Sequence, residues 1–97
     1  MSKYTITTAS PTTTSYVSRT EHVNFVVSGT WGSGTLAVEV KDTSGDWVAV
    51  YTDTANFKYT IKIGIGSEYR LNLTGSTGAT LTAYDLSVRA LANALFL

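Results

Sequence analysis

Apolar and polar residues alternate with a period of two along most of this chain. In the clearest run, every second residue from Phe57 to Ile63 is apolar, and two lysines and a threonine lie between them. This period is typical of a β-strand that buries one face and exposes the other to water. Runs of this kind predict about seven strands, at 3–8, 16–28, 34–41, 47–51, 57–63, 68–74 and 80–90.

Short segments rich in Gly, Asp and Ser separate these runs, at 29–34, 42–46, 52–56, 64–67 and 75–78. Several short strands at this spacing are typical of a small sandwich or barrel. Each strand leaves an apolar face that needs a covering layer, and two antiparallel sheets packed face to face provide it. The sequence therefore predicts an all-β fold over 1–97, as a single antiparallel β-sandwich of about seven strands. A small β-barrel is the alternative.

Two segments depart from the alternation. Residues 1–15 are predicted as a short strand followed by a flexible polar tether, because 9–15 is polar and contains the one proline, Pro11. Residues 91–97 form an apolar tail with Leu91, Leu95, Phe96 and Leu97. This tail either continues the last strand or makes one or two helical turns. A free apolar tail is an aggregation hazard in water, so we expect it to fold over the open end of the sandwich or to contact a neighbouring subunit.

Composition narrows the classes of partner. The 97 residues suffice for one domain, and seven basic residues balance seven acidic ones. Proteins that bind nucleic acid by neutralising phosphates carry a basic excess, so no nucleic-acid partner is expected. The longest apolar run is far shorter than the roughly 20 residues of a membrane helix, and no secretory signal is visible at the start. We expect no membrane partner and a protein that is made in a cytoplasm.

Catalytic and metal-binding patterns are weak in this sequence. Cysteine does not occur, and His22 is the one histidine, which leaves no ordinary zinc site. No Gly-x-Ser-x-Gly motif surrounds a serine, and most aspartates fall in predicted turns, where they bond to their own backbone. We therefore predict no catalytic residues, no metal and no cofactor, and do not expect an enzyme.

The aromatic residues are the candidates for binding. In the strand at 47–51, Trp47 and Tyr51 lie in one phase and two valines in the other, so both faces are apolar. A strand of this kind needs cover on both sides, and a second chain can provide one of them. The candidate interface consists of Trp31, Trp47 and Tyr51 with the apolar tail (Leu91, Leu95, Phe96 and Leu97). Exposed tryptophan and tyrosine rings can also stack on sugars, so a surface glycan is the alternative ligand.

Three stretches, 27–40, 42–50 and 68–81, resemble small β-sandwich structural proteins of tailed bacteriophage virions. The shared features are a Gly-x-Trp-Gly-x-Gly turn at 29–34, an Asp/Ser-Gly-x-Trp hairpin that ends at Trp47, and a late Tyr-Arg-Leu strand at 69–71. The resemblance implies a virion protein that acts through protein-protein contacts with its own copies and with the major capsid or other virion proteins. It implies in the first place a capsid decoration (cement) protein, with a head-fibre, neck or tail accessory protein as the alternative.

Overall fold

Eight β-strands make up the described part of the chain. The structure, a computed structural model, describes residues 2–13, 15–18 and 21–87. The strands are β1 (Ser2–Thr7), β2 (Tyr16–Val17), β3 (His22–Thr30), β4 (Thr35–Lys41), β5 (Trp47–Asp53), β6 (Phe57–Lys62), β7 (Glu68–Thr74) and β8 (Thr80–Ser87). The described residues form no helix that is long and apolar enough to cross a membrane.

The strands form two four-stranded sheets. Sheet I has the order β1-β8-β3-β6, and sheet II has the order β2-β7-β4-β5. All neighbouring strands are antiparallel. The two sheets pack face to face, which confirms the predicted all-β sandwich and leaves the barrel alternative without support. The edge strands are β1 and β6 in sheet I, and β2 and β5 in sheet II.

The predicted strand at 16–28 is wrong, because the chain changes sheets within it. Tyr16 and Val17 pair with β7 of sheet II, whereas β3 pairs with β6 and β8 of sheet I. The polar stretch 18–21 interrupts the alternation at this point. Ser18 and Glu21 bond to the segment after β6: Ser18 N–H donates to Ser67 O at 2.8 Å, and Ile63 N–H donates to Glu21 O at 2.9 Å. The described residues therefore form eight strands rather than the predicted seven or so.

Part of the segment predicted as a flexible tether lies along β7. The amide of Thr13 donates to Leu71 O at 2.9 Å, and Leu73 N–H donates to Pro11 O at 2.8 Å. Between them, Thr12 pairs with Asn72 as an isolated bridge. The physical reason is that β2 is two residues long and leaves the rest of the β7 edge with backbone groups that need partners. Residues 11–13 supply those partners.

The core lies between the inner faces of the sheets. Among the residues whose burial the structure gives, Phe25 is the largest fully buried side chain, and Ile6, Leu36, Leu71, Leu81, Val27 and Val38 are also fully buried. The next residue along β3, Val26, points to the outer face of sheet I and is 37% exposed. Burial therefore follows the alternation that the sequence displays.

Candidate interaction surface

A polar and aromatic cluster covers part of the outer face of sheet II. The register brings Trp47 of β5 beside Lys41 of β4, and Glu39 of β4 beside Arg70 of β7. The Arg70 guanidinium lies 4.3 Å from the centre of the Trp47 ring, and its Nε donates to Glu39 Oε1 at 2.6 Å. This stacking is a cation–π contact. We call Trp47, Arg70, Glu39 and Lys41 the Trp47 patch.

A second aromatic group closes one open side of the sandwich, where the edge strands β5 and β6 face each other. Tyr51 and Tyr59 stack with their ring centres 4.0 Å apart, and Tyr51 lies 5.1 Å from Phe57. Trp31, just after β3, lies 6.3 Å from Phe57. We call Trp31, Tyr51, Phe57 and Tyr59 the aromatic seam. Strands β5 and β6 belong to different sheets, so packing of these rings, rather than backbone hydrogen bonding, joins the two edges.

Two polar side chains fix the aromatic seam. Asn56 Oδ1 accepts from the Trp31 indole Nε1 at 2.8 Å and from Gly29 N–H at 3.2 Å. The Tyr51 hydroxyl donates to Asp53 Oδ2 at 2.7 Å, and this bond lowers the pKa of Asp53 and raises that of Tyr51. The polar ends of Trp31 and Tyr51 are thus already bonded within the chain.

The free edge of β5 is apolar over residues 47–52. Val48 is 46% exposed and Val50 is 47% exposed, and 47–52 contains no charged residue. The sheet I edges differ, since β6 carries lysines at 58 and 62 and β1 carries Lys3. Lysine on an edge strand discourages pairing with another chain, whereas an apolar edge with unpaired backbone groups favours it. We call residues 47–52 the β5 edge.

On the opposite side of the sandwich, tyrosines surround a carboxylate inside the protein. Asp85 of β8 is 8% exposed, and its Oδ2 accepts from the hydroxyls of Tyr4 and Tyr69. Tyr16 packs between these tyrosines, with its ring centre 4.9 Å from Tyr4 and 5.9 Å from Tyr69. Burial and, next, the hydrogen bond to Asp85 raise the pKa of Tyr69 well above its ordinary value. Contact between Tyr4 and Tyr16 thus joins the edge strands β1 and β2, just as the aromatic seam joins β5 and β6.

The raised pKa of Tyr69 predicts a loss of stability at high pH. The unfolded chain releases this proton near the ordinary pKa of 10.0, whereas the folded protein keeps it. The stabilisation is therefore complete below pH 10 and is lost as the pH rises beyond it, with a slope of at most about 1.4 kcal/mol per pH unit. We expect Tyr69→Phe to make the free energy of unfolding less dependent on pH above 10, as measured by urea titration. An unchanged slope in the variant would contradict this account.

The structure separates the predicted interface residues. Trp31 and Tyr51 both contact Phe57 in the aromatic seam, whereas Trp47 lies on the outer face of sheet II. All three are half-buried. The predicted tail residues Leu91, Leu95, Phe96 and Leu97 lie outside the described residues.

Sequence reasoning missed Arg70 and Asn56. Arg70 occupies an outward strand position, where charged residues are common. Its contact with Trp47 depends on the register that aligns β7, β4 and β5. Asn56 lies in a predicted loop, and no local pattern relates it to Trp31. Within residues 2–13, 15–18 and 21–87, no three His, Asp or Glu side chains converge as ligands of a metal ion.

Comparisons with family models, with curated proteins and with solved structures give no significant match to this chain.

Proposed function

We propose that this protein is a structural component of a bacteriophage virion, made in the host cytoplasm and incorporated into the particle. In this proposal it decorates the capsid and stabilises the shell through contacts with its own copies and with the major capsid protein. A position at the head fibre, neck or tail is the alternative within the same class. The β5 edge is the observation that carries the proposal.

The β5 edge fits a protein that adds its sheet to a neighbour. Backbone groups on the free side of an edge strand can pair with an extended segment of another protein, and Val48 and Val50 offer apolar contact beside them. Contacts of this kind need no reactive side chain. The zero net charge of the chain also limits repulsion between copies that lie close together on a shell.

The turns that carry the resemblance have structural roles that suit a rigid part of a particle. In the turn at 29–34, Gly34 N–H donates to Trp31 O at 2.9 Å. In the hairpin at 42–46, Asp42 Oδ1 accepts from the amides of Ser44 and Asp46, each at 2.9 Å. Both turns therefore position strand β4 and the β5 edge beside it.

The glycan alternative draws less support from the geometry. A sugar ring stacks on an open aromatic face, but Arg70 already lies over one face of Trp47, and Tyr51 and Tyr59 stack on each other. The indole N–H of Trp31 is bonded to Asn56. The rings that would hold a sugar therefore already make most of their contacts with other residues of the same chain.

Particle association tests the proposal directly. Virions from the culture that produces this chain are banded on a density gradient and labelled with gold-conjugated antibody raised against the purified protein. We expect the protein to co-sediment with the particles and the label to lie on their surface. Absence from the particles, or binding of the purified protein to a defined sugar on a glycan array with no effect on particle stability, would overturn the proposal.

Charged residues on the β5 edge are expected to weaken this association. Val48→Lys combined with Val50→Lys places two charges where the proposed partner makes apolar contact, so we expect a loss of at least about tenfold in affinity for particles that lack the protein. Co-sedimentation at a series of protein concentrations measures it. The matched control is Val26→Lys, on the outer face of sheet I, which should bind as the wild type does. Equal binding by all three proteins would remove the β5 edge from the proposed interface.

A further inference from the structure

Charge is divided unevenly between the two sheets. The register aligns Lys3 and Lys58 in an outward-facing row across sheet I, and Lys62 follows Lys58 on the same face; all three are exposed. No Asp or Glu takes an outward position in the described strands of this sheet, because Asp85 of β8 is buried on the inner face and Glu21 lies before β3. We call the outer face of sheet I, with its three lysines, the basic face.

Sheet II and the hairpin at 42–46 have the opposite balance. Together they contain five acidic residues and two basic ones, which gives a net charge of −3. The two basic residues, Arg70 and Lys41, form ion pairs with the two glutamates of this sheet, at 2.6 and 3.3 Å. The excess negative charge therefore lies on three aspartates, and two of them, Asp42 and Asp46, are exposed in the hairpin. We call residues 42–46 the acidic hairpin.

The basic face and the charges of sheet II are too far apart to neutralise each other within one molecule. Packed sheets lie about 10 Å apart, and side chains on their outer faces extend this separation further. At physiological ionic strength, the interaction between exposed charges is largely screened beyond about 8 Å. A second copy can bring the two kinds of surface into direct contact.

We propose that copies of this chain associate head to tail, with the acidic hairpin of one copy docked on the basic face of the next. Lys58 and Lys62 point to the same face because they are four residues apart on β6, with Cα atoms about 13 Å from each other. Their flexible stems let both ammonium groups converge on the carboxylates of Asp42 and Asp46. These two aspartates lie close together, since Asp42 N–H donates to Asp46 O at 2.8 Å across the neck of the hairpin.

The charge balance favours a second copy over another partner. With histidine neutral, the basic face carries +3 and sheet II with its hairpin carries −3, so contact between copies compensates both. A polyanion on the basic face would leave the acidic charge of the same molecule uncompensated. Because the contact is heterologous, each copy keeps one free surface of each kind, and further copies can join in a row.

This inference rests on the proposed function for its biological role, because it names the surfaces through which neighbouring copies meet on a shell. Purified protein tests the contact itself, with no particle present. We expect the wild type to self-associate at low ionic strength and to dissociate in about 1 M salt, where the screening length falls to about 3 Å. Sedimentation velocity and light scattering over a series of protein concentrations measure the association constant.

Charge reversal on either surface is expected to weaken the association. Lys58→Glu with Lys62→Glu places like charges opposite the acidic hairpin, so we expect the association constant to fall at least about tenfold. Thr43→Lys with Asp46→Lys does the same from the other side. Mixing these two variants is expected to restore association, because the hairpin of the first meets the unchanged basic face of the second and the two reversed surfaces also match. Restoration requires that both variants are folded.

The matched control separates a local contact from a change in net charge. Thr43→Glu with Ser44→Glu lowers the net charge by two, as Lys58→Gln with Lys62→Gln does, but leaves the basic face intact. We expect the glutamate variant to associate at least as well as the wild type, and the glutamine variant to associate less. Val26→Lys keeps the sign of the basic face and is expected to associate as the wild type does.

Two results would overturn the proposal. The first is a wild type that stays monomeric at every salt and protein concentration, or variants that all associate equally. The second is loss of particle binding by Lys58→Glu with Lys62→Glu when the wild type does not self-associate, which would assign the basic face to the shell. Either result leaves the contact of the β5 edge with particles in place, because Val48→Lys with Val50→Lys tests that contact separately.

Discussion

Replacing Phe25 with alanine is expected to lower the free energy of unfolding by about 3–5 kcal/mol. The Phe25 ring is 0% exposed and meets the ring of Tyr69 edge-on from the opposite sheet, with the ring centres 5.8 Å apart. Truncation removes apolar area from the middle of the core and leaves a cavity that rigid sheets on both sides cannot fill. Small domains have only about 5–15 kcal/mol of stability in total, so urea denaturation will resolve the loss easily.

The neighbouring residue provides the control. Val26→Ala alters the same strand at the next position, but that side chain points away from the core and is 37% exposed. We expect a change of roughly 0.5 kcal/mol, because surface substitutions away from special features have small effects. Similar losses for the two variants would show that β3 does not bury one face as the sandwich requires.

Replacing Gly32 with alanine is expected to lower the free energy of unfolding by about 2–5 kcal/mol, through backbone strain and overpacking together. Gly32 has a φ of +56°, and an added Cβ would lie 2.1 Å from the carbonyl oxygen of Thr77. That contact is with backbone, so no side chain can rotate away from it. Because the backbones of Gly32 and Thr77 lie this close, Thr77 N–H donates a hydrogen bond of 2.9 Å to Gly32 O. This bond connects the turn at 29–34 to the loop before β8.

A second glycine separates the two contributions. Gly78 has a similar φ of +63°, but an added Cβ would meet nothing within 4 Å. Gly78→Ala therefore costs only the strain of a left-handed backbone, about 1 kcal/mol. Thermal unfolding of both variants measures the difference. If Gly32→Ala is no more costly than Gly78→Ala, the close approach of the two loops does not constrain the fold.

Local patterns predicted a strand well where it stays within one sheet and its residues alternate between the core and the surface without interruption. The run at 68–74 coincides with β7, because Tyr69, Leu71 and Leu73 alternate without interruption. The hairpin at 42–46 forms where Gly45 provides a φ of +89°. In both places the information lies within a few residues, so alternation and turn chemistry suffice.

The features that determine the candidate surface depend on contacts between distant residues. Alternation shows that both faces of the strand at 47–51 are apolar, but not that β5 lies at an edge, where Val48 and Val50 remain exposed. It also does not show that β7 supplies an arginine to the ring of Trp47. The edge position of β5 and the contact of Arg70 with Trp47 depend on strand order and register. The alternation of apolar and polar residues does not specify strand order or register.

The place of β8 within sheet I has a consequence for biosynthesis. Because β8 lies between β1 and β3, β1 has no partner strand, and β3 can pair only with β6, until residues 80–87 have left the ribosome. At 5–20 residues per second, the nascent chain carries an unpaired β1 for roughly 4–16 s after that strand emerges. Strands β4, β5 and β7 of sheet II can pair during that interval, and the insertion of β8 then closes the sandwich as the last step.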